Sequence, residues 1–190
     1  DADGTHIVCA AIVRKDLLDG EPEWIADFPD AFILQSTGDD PQTPAISVTI
    51  NSFSRPVLHF RARPREDREA IDVYVCHLKS KAPTRVFTEN WFEADRPLYG
   101  KHQANLGSAL STIRRTAEAS ALRFILTEKM KNSRTPVIVL GDVNDGQLSN
   151  TLNILTEQPR YLVGGSMGGG DIDLYTAQTL QEYRSSRDVY

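Results

Sequence analysis

His77 closes an apolar run, Ala70–Leu78 (AIDVYVCHL), and Lys79 and Ser80 follow it at once. Much further along, a second apolar run, Pro136–Leu140 (PVIVL), breaks at Gly141 into Asp142-Val143-Asn144-Asp145-Gly146. The residue types have a common chemistry. An imidazole can give a proton or a hydrogen bond to charge developing on a phosphoryl oxygen. A carboxylate can position and deprotonate a water, or hold a hard divalent cation. An Asn two residues later can donate to an anionic oxygen while orienting its neighbour. Together with a lysine, these groups suit metal-assisted hydrolysis of a phosphoester.

Each also has a plainer use. A lone His at a strand end most often hydrogen-bonds a nearby loop, and Asp and Asn between glycines build a turn equally well. Cys76 next to His77 does not make a Cys–His pair, because adjacent strand residues point to opposite faces. His6, His59 and His102 have no companion at a meaningful spacing and read as structural.

What would bring the two clusters together is the chain between them. From Gln103 to Lys131 the spacing is helical, with Leu106, Leu110, Ile113, Ala117, Ala121, Leu122, Ile125, Leu126 and Met130 on one stripe. Arg114, Arg115, Glu118, Arg123, Glu128 and Lys129 mostly fall off it. Ala70–Leu78 reads as a strand and Pro136–Leu140 as a fully buried one. A strand, a crossover helix and a second strand of one sheet run parallel, so both strands end on the same edge. That edge is where α/β sheets tend to place their sites.

The remaining elements are read with less chemistry attached. Thr5–Val13 (THIVCAAIV) reads as a buried strand, and the acidic stretch Leu17–Asp30, with Pro22 and Pro29, as a loop. Ala45–Ile50 and Arg55–Arg63 read as a hairpin around the turn Asn51–Ser54, and with Ala70–Leu78 they suggest an antiparallel meander. Pro64–Glu69 reads as a solvated turn, Ala82–Gly100 as irregular, Gln147–Leu155 as a short helix and Gly164–Gly170 as a loop. That last stretch lacks the Lys-Ser/Thr of a phosphate-binding loop.

Composition narrows the class. The chain has 190 residues, 40% hydrophobic and 25% charged, which is the balance of a globular domain rather than of a coiled coil, collagen or bulk disorder. No stretch approaches the ~18–20 apolar residues of a membrane span. A net charge of −5, from 21 Lys+Arg and 26 Asp+Glu, argues against a broadly basic surface. Handling phosphates through a few placed groups stays open. Two cysteines, Cys9 and Cys76, fit neither a disulfide scaffold nor a four-ligand zinc site and read as small buried hydrophobes.

With these residues in view, Val73–Ser80, ending in His-x-Lys-Ser, resembles the strand motif of the endonuclease/exonuclease/phosphatase family. Val137–Asp145 resembles that family's Gly-Asp-x-Asn-Asp motif, and the helix with Arg115 and Glu118-Ala119 is similar to the family's intervening helix. The resemblance covers about residues 45–155. It implies a four-layer α/β sandwich, two mixed sheets with helices outside, and Mg²⁺- or Mn²⁺-dependent hydrolysis of phosphodiesters or phosphomonoesters, DNA or RNA among the possible substrates. It implies His77 as stabiliser of the scissile phosphate and Asp142 as the group that orients or activates water, with a share in metal binding. Asn144 would contact the phosphate. Lys79 and Arg115 are weaker candidates for substrate binding, Lys79 by phosphate contact and Arg115 by structural support.

The departures from the family carry expectations too. The family's early Asn and Glu, the Glu being the principal metal ligand, are not visible here, nor is its late Ser-Asp-His. Residues 1–190 are therefore expected to be one domain of this type, truncated at both ends and lacking some terminal strands, and by itself nearly inactive. The leading expectation is a nuclease-like phosphodiesterase. The alternatives are a phosphatase or phospholipase acting on lipid or inositol phosphates, with Trp91, Phe92 and Tyr99 as a substrate loop, and a noncatalytic binding module on the same fold.

Overall fold

The computed structural model of the chain describes residues 7–131, 133–157, 174–178 and 181. Among them, β1 (Glu23–Asp27), β2 (Gln35–Ser36), β3 (Ile46–Ser47), β4 (Ser52–Ala62), β5 (Ile71–His77) and β6 (Val137–Asp142) form two sheets. The larger has the order β1-β4-β5-β6, antiparallel except for the parallel pair β5–β6. The smaller pairs β2 with β3. The helices are α1 (Asn90–Ala94), α2 (Arg96–Tyr99), α3 (Gln103–Met130) and α4 (Asn150–Thr156). This is the mixed α/β class expected from the sequence.

The central unit, β5–α3–β6, is as expected: strand, long helix, parallel strand. Its helix side buries Val57, Tyr74, Cys76 and Leu78 of the sheet against Ala117, Ala121, Leu122 and Leu126 of α3. Phe28, Phe53 and Leu155 complete that core. Burying an aliphatic side chain of this size stabilises by about 1.5–3 kcal/mol, so α3 is held by its packed face rather than by intrinsic propensity. A smaller cluster of Cys9, Leu58, Phe60 and Val73 lies apart from that core, backed by Val13 and Leu18. Both cysteines are free and buried, as read from the sequence.

Several elements differ from the sequence reading, each for a physical reason. Residues 7–13 of the expected strand Thr5–Val13 form no ladder and are not buried on both faces: Cys9 and Val13 pack on the sheet by side chains, while Ile7, Val8 and Ile12 are exposed. Residues 5 and 6, like His6 and Gly164–Gly170, lie outside the described residues. The supposed loop 17–30 contains β1, because pairing with Val57, Leu58 and His59 organises a segment whose own periodicity is weak. The hairpin of Ala45–Ile50 with Arg55–Arg63 does not form. The residues read as its turn, Ser52-Phe53-Ser54, belong to β4, and Ile46–Ser47 pair instead with β2. Ala82–Gly100 is not irregular but holds α1, α2 and a 3₁₀ turn, anchored by buried Phe92 and Val86.

Two corrections bear on the site. β6 is not fully buried: among the described residues it is the last strand of the sheet, and Ile138 and Leu140 stand roughly half exposed. The buried face of α3 is also rotated from the apolar stripe. Leu110 and Ile113 are exposed, while Arg115, Glu118 and Arg123 are buried. Glu118 and Arg115 turn inward to the backbone just after β5, and Arg123 turns inward to Glu157 beyond α4.

Candidate functional site

The pairing of β5 with β6 sets Cys76 opposite Gly141 and His77 opposite Asp142, in register. That close approach explains the glycine. Gly141 has φ +119°, and a Cβ there would lie 1.9 Å from the Cys76 carbonyl oxygen. A residue with a side chain fits neither the backbone nor the space. Beyond it, the Asp142 carboxylate accepts from the Asn144 N–H at 2.7 Å, an Asx turn, and Asn144 adopts φ +54°, a left-handed conformation that Asn tolerates best among residues with a side chain. The Asn144 carboxamide donates to the Leu78 carbonyl at 2.8 Å. The turn chemistry and the site chemistry therefore use the same residues.

His77 and Asp142 thus emerge side by side at the ends of two parallel strands. The His77 Nε2 lies 4.0 Å from the Asp142 carboxylate, and the two side chains are 26% and 64% exposed. That gap is too long for a direct hydrogen bond. Both side chains are part exposed, and a small oxygen ligand could bridge the gap between them.

Below them, the loop after β5 is held from several sides. The Leu78 N–H donates to the Asp142 carbonyl at 3.0 Å, and buried Arg55 donates to the Leu78 carbonyl at 3.3 Å. Arg115 is buried; its guanidinium reaches the Lys79 and Ser80 carbonyls and Asp145, each at 3.4 Å. Asp145 also pairs with Lys81 at 2.9 Å and accepts from Thr151 at 2.7 Å. Burial by itself would raise the Asp145 carboxyl. The hydrogen bonds from Lys81, Thr151 and the Gly146 N–H, with the Lys81 charge, outweigh it and hold the group well below the usual carboxylate range. Arg115 accordingly serves as support, tying the two loops together, while half-buried Lys79 starts the loop beside His77.

The sequence reading missed Lys81 and Arg55, and it named Glu118 and Asp145, within the resembling motifs, without a role. Besides the resemblance, Glu118 left a signal in the residues: it stands between Ala117 and Ala119, and small neighbours on a helix permit close approach to a sheet.

The described residues do not make up a metal centre. No group of three His, Cys, Asp or Glu among them is placed to hold an ion. Asp142 supplies one carboxylate, and the other acid of its loop, Asp145, is committed to Arg115, Lys81 and Thr151. Mg²⁺ or Mn²⁺ asks for about six oxygen ligands. No helix of the described residues is long and apolar enough to cross a membrane. Compared with known proteins, the chain matches no family model, no curated protein and no solved structure.

Proposed function

We propose that the chain carries the phosphate-handling part of a phosphoester hydrolase, most simply a phosphodiesterase of nuclease type. The observation that supports it is the His77–Asp142 register pair: an imidazole and a carboxylate on one sheet edge, both accessible, 4.0 Å apart. In this reading Asp142 takes the proton of a water that attacks phosphorus, His77 donates to a phosphoryl oxygen as negative charge grows on it, and the P–O bond to the leaving alcohol breaks, its oxygen taking a proton from solvent. Lys79 adds a positive charge at the entrance. Asn144 fixes the loop with one carboxamide N–H on Leu78, and the second N–H is the one that would contact the phosphate. Mg²⁺ or Mn²⁺ belongs to the proposal as a cofactor whose full ligand set the described residues do not supply, and no step here is routed through it.

The test is hydrolysis of a generic phosphodiester, plasmid DNA, RNA and a panel of lipid and inositol phosphates, with Mg²⁺ or Mn²⁺ added. The chain is compared with any longer form its gene encodes, and both with Asp142→Ala. Turnover that Asp142→Ala reduces by about 10²–10⁴-fold supports the reading. Turnover on lipid or inositol phosphates alone moves the substrate class, and no turnover in any form favours a binding module.

A further inference from the structure

Glu118 is a carboxylate with 0% exposure in the middle of α3. One oxygen accepts from the Ser54 backbone N–H at 2.8 Å, from the Ser54 hydroxyl at 2.5 Å and from Arg114 Nε at 3.2 Å. The other accepts from the Lys79 backbone N–H at 2.7 Å. The side chain therefore joins three elements: its own helix, β4 near the irregular stretch before Val57, and the chain just after β5.

A buried ion is a poor device for stability alone, because an apolar residue of similar volume packs a helix on a sheet as well or better. What a carboxylate does here, and an apolar group does not, is accept backbone donors that no strand serves. β5 ends at His77, and its last bond across to β6 is Leu78 N–H to the Asp142 carbonyl. At Lys79 the backbone turns away from the sheet, and its N–H is met by Glu118. The Lys79 carbonyl is met in turn by Arg115, and the Leu78 carbonyl by Asn144 and Arg55. The peptide groups on both sides of Leu78 are thus clamped immediately after His77.

We propose that Glu118 is a positioning residue of the candidate site. By holding the Lys79 N–H it fixes the exit of β5, and with it the placement of the His77 imidazole against Asp142 and the direction in which Lys79 leaves the strand. The proposal deepens the phosphoester reading and rests on it only for the catalytic consequence.

Two changes test it. Glu118→Gln keeps shape but replaces one acceptor oxygen by an NH₂, so that either the Lys79 or the Ser54 N–H faces a donor. An amide-to-ester replacement at Lys79 removes the N–H alone and leaves every side chain in place, and so serves if Glu118→Gln does not fold. In the unaltered chain, NMR should show a through-hydrogen-bond coupling from the Lys79 amide to the Glu118 carboxyl. In the altered chains the His77 ring resonances should move, while helical circular dichroism is retained. In an active form of the enzyme, kcat should fall by about 10–100-fold with KM little changed, as for a displaced catalytic group. His77 resonances that stay put in the folded altered chains, or a missing coupling in the original, overturn the proposal. The NMR results decide this even if the chain hydrolyses nothing, an outcome that would sink only the phosphoester reading.

Discussion

His59 and His77 lie on neighbouring strands of one sheet and lead opposite lives. His59 has a carboxylate at each ring nitrogen, Glu23 at 2.6 Å and Asp72 at 2.7 Å, and stacks on Tyr74 with ring centres 4.4 Å apart. Lys129 approaches the same Asp72 at 3.3 Å. His77 faces one carboxylate, across 4.0 Å. A saturated imidazole holds strands together and has no nitrogen left to offer. One held near a carboxylate but not bonded to it can still meet a ligand. The difference separates a saturated from an open histidine better than burial does, since their side-chain exposures, 11% and 26%, are not far apart.

Swapping the consequences of the two residues would break this comparison. His77→Ala should lower phosphoester turnover by about 10²–10⁴-fold and change stability by less than about 0.5 kcal/mol, as assay and urea unfolding can show. His59→Phe should do the reverse. It removes one partner of Asp72, which is 1% exposed, has one carboxylate oxygen without a hydrogen bond and keeps Lys129 at 3.3 Å, and should cost about 1–3 kcal/mol with little effect on turnover per folded molecule. A cost under 1 kcal/mol would mean the pair is ornamental.

A smaller effect sharpens the contrast at the site end, where Asp145 is the saturated acid and Asp142 the open one. The folded Asp145 carboxyl lies below its unfolded value of about 3.9, so its pairing contributes in full above that pH and is lost as pH falls further toward the folded value. Asp145→Asn should therefore flatten the decline of melting temperature below about pH 4. The least effect is expected from the thiols. Burial pushes Cys76 up to about 12, and it raises Cys9 despite the opposing Arg55 charge. Iodoacetamide at pH 8 should leave the folded chain unmodified and add two labels in urea, read by mass.

The central unit was legible because its signals agree. A β-branched run, a long helical period and a second apolar run allow few arrangements, and the parallel one places His77 beside Asp142 without further information. Glu118 and Arg115 were not legible as buried groups. On a helical wheel a charged residue off the apolar stripe reads as solvent-facing, and only the unpaired backbone at the end of β5 reverses that. β1 was hidden for a related reason: Glu-Trp-Ile-Ala-Asp has little strand character until β4 lies next to it. Residues 7–13 failed in the other direction: Cys9 is buried but Ile7, Val8 and Ile12 stand exposed, so a run rich in Ile, Val and Ala guarantees neither burial nor a backbone to pair with.

The parallel pairing also sets a timetable for synthesis. Asp142 follows His77 by 142 − 77 = 65 residues in the chain. At about 5–20 residues per second, roughly 3–13 s pass between the appearance of one and of the other. For that interval β5 can pair with β4 but not with β6, so an apolar strand edge, Val73-Tyr74-Val75-Cys76, waits open while α3 is being made. A nascent chain stalled before Pro136 would carry a bare strand edge and half a site. It would be a natural client for chaperones that cover such edges.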